Sequence, residues 1–399
     1  MNGNTSVSEL DTFRAETAAW LEASCPAAMR TPITGPEMLW SSSHNVFTSE
    51  AQRLWFERAR DRGWFAPGWP REYGGAGLST PQQRVLDEEM LRLGCRQPQY
   101  NLGIWMLGPV LLELGSDEQK REHLRPMARG ERRWCQGFSE PNAGSDLASL
   151  RTSAVAGSDG DGEHFIVNGQ KIWTSDGHLS DWMYALVRTD PQAKKQQGIS
   201  FVLIDMKAPG VSVRPIELIS GKSAFCEVFF DNVRVPRRQL VGGLNQGWSV
   251  AKKLLEHERA AMSKFSEGGA PSHDPLAVAA GYLDAAEPVW RDRLAGAMMD
   301  QRAFALTMRR MHEMLQARED VSGVASIMKL VQTEQEVAKY ELLQQIMGQR
   351  GLSWEGDAFS TDEHDICRLW LYTKTYTIGG GTSEIQLNLI AQRVLGLPK

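Results

Sequence analysis

Between residues 150 and 236 the chain changes from helix-forming to strand-forming patterns, and after Gly247 it changes back. The middle part consists of short runs rich in β-branched and aromatic residues, as strands are. These runs read HFIVNGQKIW, WMYALVRT, GISFVLIDM, VSVRPIEL and CEVFFDNVRV. No helical pattern long enough for a βαβ unit separates them, so we predict a compact barrel or sandwich. Within the first run, Asn168-Gly169 predicts a hairpin turn.

Helical patterns occupy both flanks of this region. In the first 130 residues, Ser116 and Gln119 have the spacing of a capping box, and the Pro- and Gly-rich segment 67–77 must be irregular. Beyond the strands, apolar residues recur every three or four positions, as they do in a helical bundle. This spacing predicts helices over 247–266, 288–318, 321–347 and 382–395.

Composition and charge exclude several classes of protein. A chain of 399 residues with 42% hydrophobic and 23% charged residues is globular and is long enough for more than one packed unit. The net charge is -5 without a sustained basic stripe, which argues against nucleic acid as the main partner. Its five cysteines show neither CxxC nor metal-ligand spacing, which favours a reducing compartment. With no secretory signal or 18-residue apolar run visible, we predict a cytoplasmic protein without a membrane span.

Two polar segments carry the clearest chemical signal. The first, WCQGFSEPNAGSDLASLRT (134–152), offers the hydroxyls of Ser139 and Ser145 and several backbone N–H groups to a polar ligand. Taken alone, such a loop is more often an ordinary turn. The second, KIWTSDGHLSDW (171–182), places Trp173 and Ser175 two residues apart, on one side of a strand. Trp173 could cover a planar aromatic ligand while Ser175 donates a hydrogen bond to it.

In this order and at this separation, the two segments resemble the flavin-binding signatures of the acyl-CoA dehydrogenase family. The resemblance extends through FDNVRVPRRQLVG to GGGTSEIQLNLIAQRVLGLP at the C-terminus, and WCQGFSEP and LLEHERAA are similar to the branch acting on pimeloyl-CoA and steroid side chains. It implies a mainly α fold with a central β-barrel. The implied domains are an N-terminal helical domain (1–131), a β-barrel (132–241) and a C-terminal four-helix bundle (242–399).

The resemblance implies FAD as cofactor and assigns roles in binding it. Phe138 and Ser139 would line the pyrimidine and N5 region of the flavin. Trp173 and Ser175 would flank the isoalloxazine ring. Ser145 would approach the cofactor pyrophosphate or the pantetheine of the substrate.

The C-terminal segments are implied to complete the FAD site. Thr382 and Glu384 open the last helix, although a capping box formed by Ser383 and Gln386 would explain that helix start without a ligand. The segment QQIMGQRG resembles the part of the family that reaches the adenosine of FAD in a neighbouring subunit, through Gln345, Gly348 and Gly351. Arg291 stands where a family arginine contacts FAD phosphate, but the Phe-Gly that normally follows is Leu-Ala here, so a surface cation is the alternative.

The catalytic base departs from the commonest family pattern. Gly380 stands where many members carry a glutamate, and glycine cannot accept a proton. Other members carry the base in a Glu-Arg pair on an earlier helix, which Glu258 and Arg259 match, with Arg259 assigned to substrate binding. Glu256 would face elsewhere on that helix, and an exposed helix carboxylate is the ordinary alternative for Glu258. The N–H of Gly380 could still bind the thioester oxygen.

The implied reaction is α,β-dehydrogenation of an acyl-CoA to the 2-enoyl-CoA. An electron-transferring flavoprotein would be the electron acceptor, and the protein would be a homo- or heterotetramer. Two alternatives remain: a flavin oxidase or monooxygenase on the same fold, and one subunit of a heteromeric enzyme, of which some subunits have lost their flavin contacts.

Overall fold

A computed structural model of the chain describes residues 7–31, 33, 37–268, 273–283, 287–317, 319 and 321–398. These residues form two compact units. The described residues within 1–216 and 224–271 form the first unit, and those within 217–223 and 272–399 form the second unit.

The first unit begins with helices, as predicted. They are α1 (Val7–Ser24), α2 (Glu50–Asp61), α3 (Thr80–Arg92), α4 (Gly108–Leu114), α5 (Asp117–Gln119) and α6 (Arg125–Ala128). The predicted capping box is present at the start of α5, where the Ser116 hydroxyl accepts from Gln119 N–H and the Gln119 side chain accepts from Ser116 N–H. The segment 67–77 is irregular apart from one 3-10 turn, Arg71–Tyr73, which confirms the prediction.

The described residues of the middle region form one mixed sheet of eight strands. The strands are β1 (Trp134–Gly137), β2 (Ser153–Asp159), β3 (Gly162–Ser175), β4 (Trp182–Arg188), β5 (Ile199–Asp205), β6 (Val211–Ile216), β7 (Phe225–Pro236) and β8 (Leu240–Val241). Their order is β6-β7-β3-β2-β4-β5-β8, with β1 parallel to β4. In this order β6 and β8 are the two ends of the sheet and do not pair. The sheet is therefore not a closed barrel, since closure requires hydrogen bonds between end strands, and the predicted central β-barrel is not confirmed.

Strands β4 and β5 are buried on both faces, which explains their continuous hydrophobic runs. In β4, Tyr184 and Leu186 belong to a core shared with the N-terminal helices. The alternate residues Met183, Ala185 and Val187 belong to a second core formed between the strands themselves. The alternation follows from the two-residue period of a strand.

Asn168 and Gly169 do not form the predicted hairpin. β3 continues through them, and its turn into β2 lies near Gly162 instead. The register against β7 shifts between Val167 and Gly169, and Gly169 has a φ of +146°. The Asn168 side chain accepts from Asn232 N–H at 2.8 Å. Asn168 and Gly169 therefore form a β-bulge, and their Asn-Gly sequence is also the one expected of a hairpin turn.

Helix α7 (Gly247–Gly268) belongs to the first unit, although the predicted domain boundary at 242 assigns it to the C-terminal bundle. It packs against β5 and α4. Val250, Ala251 and Leu254 are buried in the core shared by the N-terminal helices and the sheet. The side that α7 presents to that core carries the candidate base.

The second unit is a helical bundle arranged around one central helix. Its helices are α8 (Pro275–Tyr282), α9 (Pro288–Gln316), α10 (Ser322–Met347), α11 (Thr361–Tyr372) and α12 (Ser383–Leu389). α10 contacts the other four helices. Its core includes Tyr340, Leu343 and Met347, packed against Ile366 of α11.

No helix among the described residues is both long and apolar enough to cross a lipid bilayer.

Candidate active site

The two polar segments singled out in the sequence lie side by side in the first unit. The N–H of Ile172 donates to the carbonyl of Ser139 at 3.0 Å, and the Lys171 ammonium donates to the carbonyl of Phe138 at 3.1 Å. Backbone and side chain of β3 therefore hold the loop that follows β1.

A buried ion pair fixes this arrangement. Lys171 is 0% exposed, and its Nζ lies 2.8 Å from Oε1 of Glu140. The same carboxylate accepts from the N–H groups of Arg151 at 2.7 Å and Thr152 at 2.9 Å. Burial lowers the pKa of Lys171 to about 8, whereas the Lys171 charge and these donors outweigh burial and hold the pKa of Glu140 below its usual range. Glu140 thus ties both ends of the loop to β3.

Trp173 combines exposure with a strained backbone. Lys171 pairs with Val228 of β7 and Thr174 pairs with Cys226, so Ile172 and Trp173 together face the single residue Glu227. At this bulge Trp173 has a φ of +59°, which is unusual for a bulky residue. Its side chain is 54% exposed. Strained residues of this kind cluster at functional sites.

Ser175 is half-buried and follows the buried Thr174. Ser139 is also half-buried and Ser145 is exposed. Phe138 is only 4% exposed, and its ring packs edge-to-face against Tyr184 and Phe201. Its ring therefore contributes to the core, and Trp173 offers the larger exposed ring face.

Glu258 lies on the inner side of α7. The buried residues Val250, Ala251 and Leu254 precede it at a spacing of four to eight residues, which places Glu258 on the same face of the helix. Its Oε2 atom is buried, whereas Glu256 is exposed. The expectation that these two glutamates face different directions is confirmed, and Glu258 is not an ordinary surface carboxylate. The Arg259 side chain lies outside the described residues.

The core that the inner face of α7 packs into is aromatic, with Phe138, Tyr184 and Phe201 among its residues. Tyr184 is fully buried, its ring stacks parallel to Phe201 at 6.0 Å, and its hydroxyl contacts Met106 Sδ at 3.7 Å. Burial and then the nearby Glu258 charge raise the pKa of Tyr184 well above its usual value. The Glu258 charge therefore acts on Tyr184, the ring against which Phe138 packs.

In the second unit, Gly380 lies in an exposed glycine loop. Gly380 and Gly381 have φ values of +68° and +95°, a region that L-residues with side chains rarely adopt. The Gly380 carbonyl accepts from Gln386 Nε2 at 3.2 Å. Within the described part of the chain, the N–H of Gly380 donates to neither a backbone nor a side-chain acceptor. It can therefore donate to a ligand.

Thr382, rather than Ser383, caps α12. The Thr382 hydroxyl accepts from Ile385 N–H at 3.3 Å, while Ser383 Oγ donates to Glu334 at 2.6 Å. The alternative capping box of Ser383 and Gln386 is therefore wrong, because the Gln386 side chain binds the Gly380 carbonyl instead. Glu384 is exposed in the first turn of α12.

Three other candidate residues are solvent-exposed. Arg291 lies near the start of α9, and Gln345 and Gly348 lie at the end of α10. Gln345 Oε1 accepts from the guanidinium of Arg293, two positions after the predicted phosphate contact. Gly348 has a φ of +56° and open space where a Cβ would be.

Sequence reasoning missed Lys171, Glu140 and Lys329 as supporting residues. Lys171 and Glu140 lie inside the two recognised segments, but nothing local shows that they pair. Lys329, in the first part of α10, donates from Nζ to the Gly381 carbonyl at 2.7 Å. A buried lysine is rare without a partner. Once the strands are placed, the position of Lys171 inside the sheet therefore indicates a buried ion pair.

Three family models match consecutive parts of the chain. Residues 35–131 match the N-terminal domain of acyl-CoA dehydrogenases, residues 135–233 the middle domain, and residues 245–395 the C-terminal domain.

Two curated relatives come from Mycobacterium tuberculosis. Acyl-CoA dehydrogenase IpdE1 is 35% identical over 399 residues, covering 98% of each chain. Acyl-CoA dehydrogenase FadE34 is 39% identical over 340 residues, covering 85% of this chain but 45% of the relative. This chain thus spans less than half of FadE34.

Solved structures of similar fold include two multicomponent proteins. The Tcur3481–Tcur3483 steroid acyl-CoA dehydrogenase has a TM-score of 0.75 and 30% identity, covering 99% of both chains. The ChsE4–ChsE5 complex from Mycobacterium tuberculosis has a TM-score of 0.71 and 27% identity, covering 100% of both chains.

Replacing Lys171 by Met should lower the free energy of unfolding by about 3–5 kcal/mol, because the Glu140 carboxylate would stay buried without its cation. The double variant Lys171→Met/Glu140→Gln should recover a large part of this loss. Urea unfolding, followed by tryptophan fluorescence, measures the free energy of unfolding of the single and the double variant. Lys195→Met is the matched control, since the Lys195–Asp146 pair is about 60% exposed on both sides and should be worth less than about 1 kcal/mol. Equal losses in the Lys171 and Lys195 variants would contradict a structural role for the buried pair.

Proposed function

Because the chain belongs to the acyl-CoA dehydrogenase family of oxidoreductases, we propose that it oxidises an acyl-CoA thioester to the 2-enoyl-CoA with FAD as cofactor. The observation that carries this proposal is the position of Glu258 on the buried face of α7, whose apolar residues share one core with Phe138, Tyr184 and Phe201. A carboxylate at an apolar surface is suited to removing a weakly acidic C–H proton, because little water competes for it.

The residues of the first unit fit a flavin. The exposed ring of Trp173, held at a strained bulge, offers a flat surface, and Ser175 and Ser139 supply small donors in the adjoining segments. Burying one face of an aromatic ring system against tryptophan while small hydroxyls bind its polar edge is a common way to hold such a group. In the second unit, Thr382, Glu384, Arg291, Gln345 and Gly348 are proposed to bind other parts of FAD, the last two in a neighbouring subunit.

Two groups of the chain carry the proposed chemistry, the Glu258 carboxylate and the Gly380 N–H. Bound FAD supplies an acceptor for the β-hydrogen, which leaves as a hydride. Glu258 takes the α-proton on its carboxylate, and the N–H of Gly380 donates to the thioester oxygen as that oxygen gains negative charge. Glycine suffices for this second role because only its backbone takes part. Arg259 and Ser145 are proposed to bind the CoA part of the substrate.

The acyl group is proposed to be a steroid side chain or a similarly bulky group. The support is the 30% identity to the Tcur3481–Tcur3483 steroid enzyme over 99% of both chains. Gly380 is consistent with this class, because its lack of a side chain leaves room that a glutamate would fill. An electron-transferring flavoprotein is the proposed electron acceptor.

The quaternary structure is proposed to be a tetramer of chains of this family, either identical or of two kinds. Large apolar side chains on α9 are exposed, among them Val289, Met298, Met299 and Leu306. An apolar surface of this kind on one helix is typical of a protein interface. The similar ChsE4–ChsE5 structure is a complex, and FadE34 is about twice as long as this chain. Both observations support a second family member as partner.

Replacing Glu258 by Gln should leave FAD bound while slowing flavin reduction by acyl-CoA about 10²- to 10⁴-fold, the usual contribution of a general base. Stopped-flow absorbance under anaerobic conditions measures the rate. Glu256→Gln is the matched control: it lies on the exposed side of the same helix and should reduce at the wild-type rate. Unimpaired reduction by Glu258→Gln would refute the assignment of the base.

Anaerobic titration of the purified protein with short, long and steroid side-chain acyl-CoAs should bleach the flavin most completely with the steroid thioesters. The bleached enzyme should stay reduced when air is admitted in the presence of enoyl-CoA. Rapid reoxidation with peroxide formation would instead indicate an oxidase. A colourless protein that binds FAD only after a second chain is added would indicate one subunit of a mixed enzyme.

Light scattering during size-exclusion chromatography should give about four times the chain mass. Met299→Asp on the exposed side of α9 should shift this mass downward, because a charge at an apolar interface is costly. Asp300→Asn, at the next position, which is also exposed, is the control and should leave the mass unchanged. A monomer that associates with no family partner would argue against this surface as an interface.

A further inference from the structure

Lys329 is connected to the glycine loop by a direct hydrogen bond. Its Nζ donates to the Gly381 carbonyl at 2.7 Å, across 52 positions of sequence. Lys329 is half-buried, and burial lowers its pKa while Glu334 and Glu384 act in the opposite direction. A charged donor makes a shorter and stronger hydrogen bond than a neutral one. This bond therefore anchors the loop to α10.

The loop itself has few other means of holding its shape. Three consecutive glycines at 379–381 supply no side chains to pack, and two of them adopt positive φ. Backbone bonds secure its ends: Gly379 N–H donates to the Thr375 carbonyl and Ser383 N–H to the Thr377 carbonyl, each at 3.0 Å. Between these ends, Gln386 binds the Gly380 carbonyl and Lys329 binds the Gly381 carbonyl.

We propose that Lys329 is a positioning residue for the reaction: it holds the glycine loop in the conformation in which the Gly380 N–H can donate to the thioester oxygen. The inference rests on the proposed function, because the role of the Gly380 N–H is part of that proposal. Lys329 touches neither substrate nor reacting atoms in this scheme. It acts by fixing the peptide group between Gly381 and Thr382, at the end of the glycine run that carries the Gly380 N–H. An oxyanion donor displaced by about 1 Å can lose about 100-fold in rate.

Lys329→Met removes the donor and keeps a side chain of similar length. We expect kcat for flavin reduction to fall about 10- to 100-fold while KM changes less than about threefold, because a donor to the developing enolate acts mainly in the transition state. Lys329→Arg keeps a charged donor and should restore most of the rate. Lys339→Met is the control on the same helix: Lys339 pairs with Glu336 at 2.8 Å, and its replacement should leave kcat unchanged.

Hydrogen exchange supplies a readout that does not depend on turnover. Amides of residues 378–383 should exchange about tenfold faster in Lys329→Met, the factor expected for one lost charged hydrogen bond, while amides in the α10 and α11 core keep their wild-type rates. A 3-thiaacyl-CoA, whose enolate gives a long-wavelength absorbance band with oxidised flavin, should bind to Lys329→Met with a weaker band.

The outcomes separate the two proposals. If wild-type protein is reduced by none of the acyl-CoAs, the proposed function fails, whatever Lys329 does. If wild-type is reduced and Lys329→Met retains its kcat, its thiaacyl-CoA band and its loop exchange rates, the positioning role is overturned. Should Lys329→Met fail to fold, Lys329→Gln, which keeps a neutral donor, should show a smaller loss of the same kind. Wild-type values in that variant would also overturn the role.

Discussion

The buried pair between Lys171 and Glu140 is the interaction on which the candidate surface of the first unit depends. An ammonium taken wholly out of water is tolerated only with a close anion and further acceptors, and Glu140 and the Phe138 carbonyl supply them. Because Glu140 also binds two N–H groups at the far end of its loop, one carboxylate joins the two ends of the polar segment. Ser139 in this loop and the bulge at Trp173 lie next in sequence to the two partners of this ion pair.

Most strands and the helices α7, α9, α10 and α12 were predictable, whereas α8, α11 and the path of the sheet were not. Helical period and strand composition are local properties, so α9 and α10 begin and end within a few residues of their predicted limits. Whether the sheet closes depends on hydrogen bonds between distant strands, which no local pattern encodes. The Asn168-Gly169 dipeptide shows the same difficulty, because a bulge and a hairpin turn both favour a residue that tolerates positive φ.

Residues of the candidate site divide in the same way. Trp173 and Glu258 were proposed from the sequence, because each lies in a recognisable motif. Helical period also gives the direction of Glu258, whereas the bulge at Trp173 interrupts the strand period there. Lys329 was not, because its significance comes from a carbonyl 52 positions away. A residue that acts by binding a backbone carbonyl has no sequence motif of its own. The three consecutive glycines, whose loop needs such support, are the local sign that a partner is required.

Helix α7 lies in the first unit although its sequence match begins the C-terminal family domain. This mismatch matters to anyone who builds chimeras from related enzymes. A crossover near residue 242 would pair an α7 from one parent with a sheet from another, and the interdigitating side chains of Val250 and Leu254 would meet a foreign surface. A crossover near residue 271 would leave that packing intact and would exchange the glycine loop together with the lysine that supports it. The boundaries at which parts of this chain can be exchanged therefore follow its packing rather than the limits of the sequence domains.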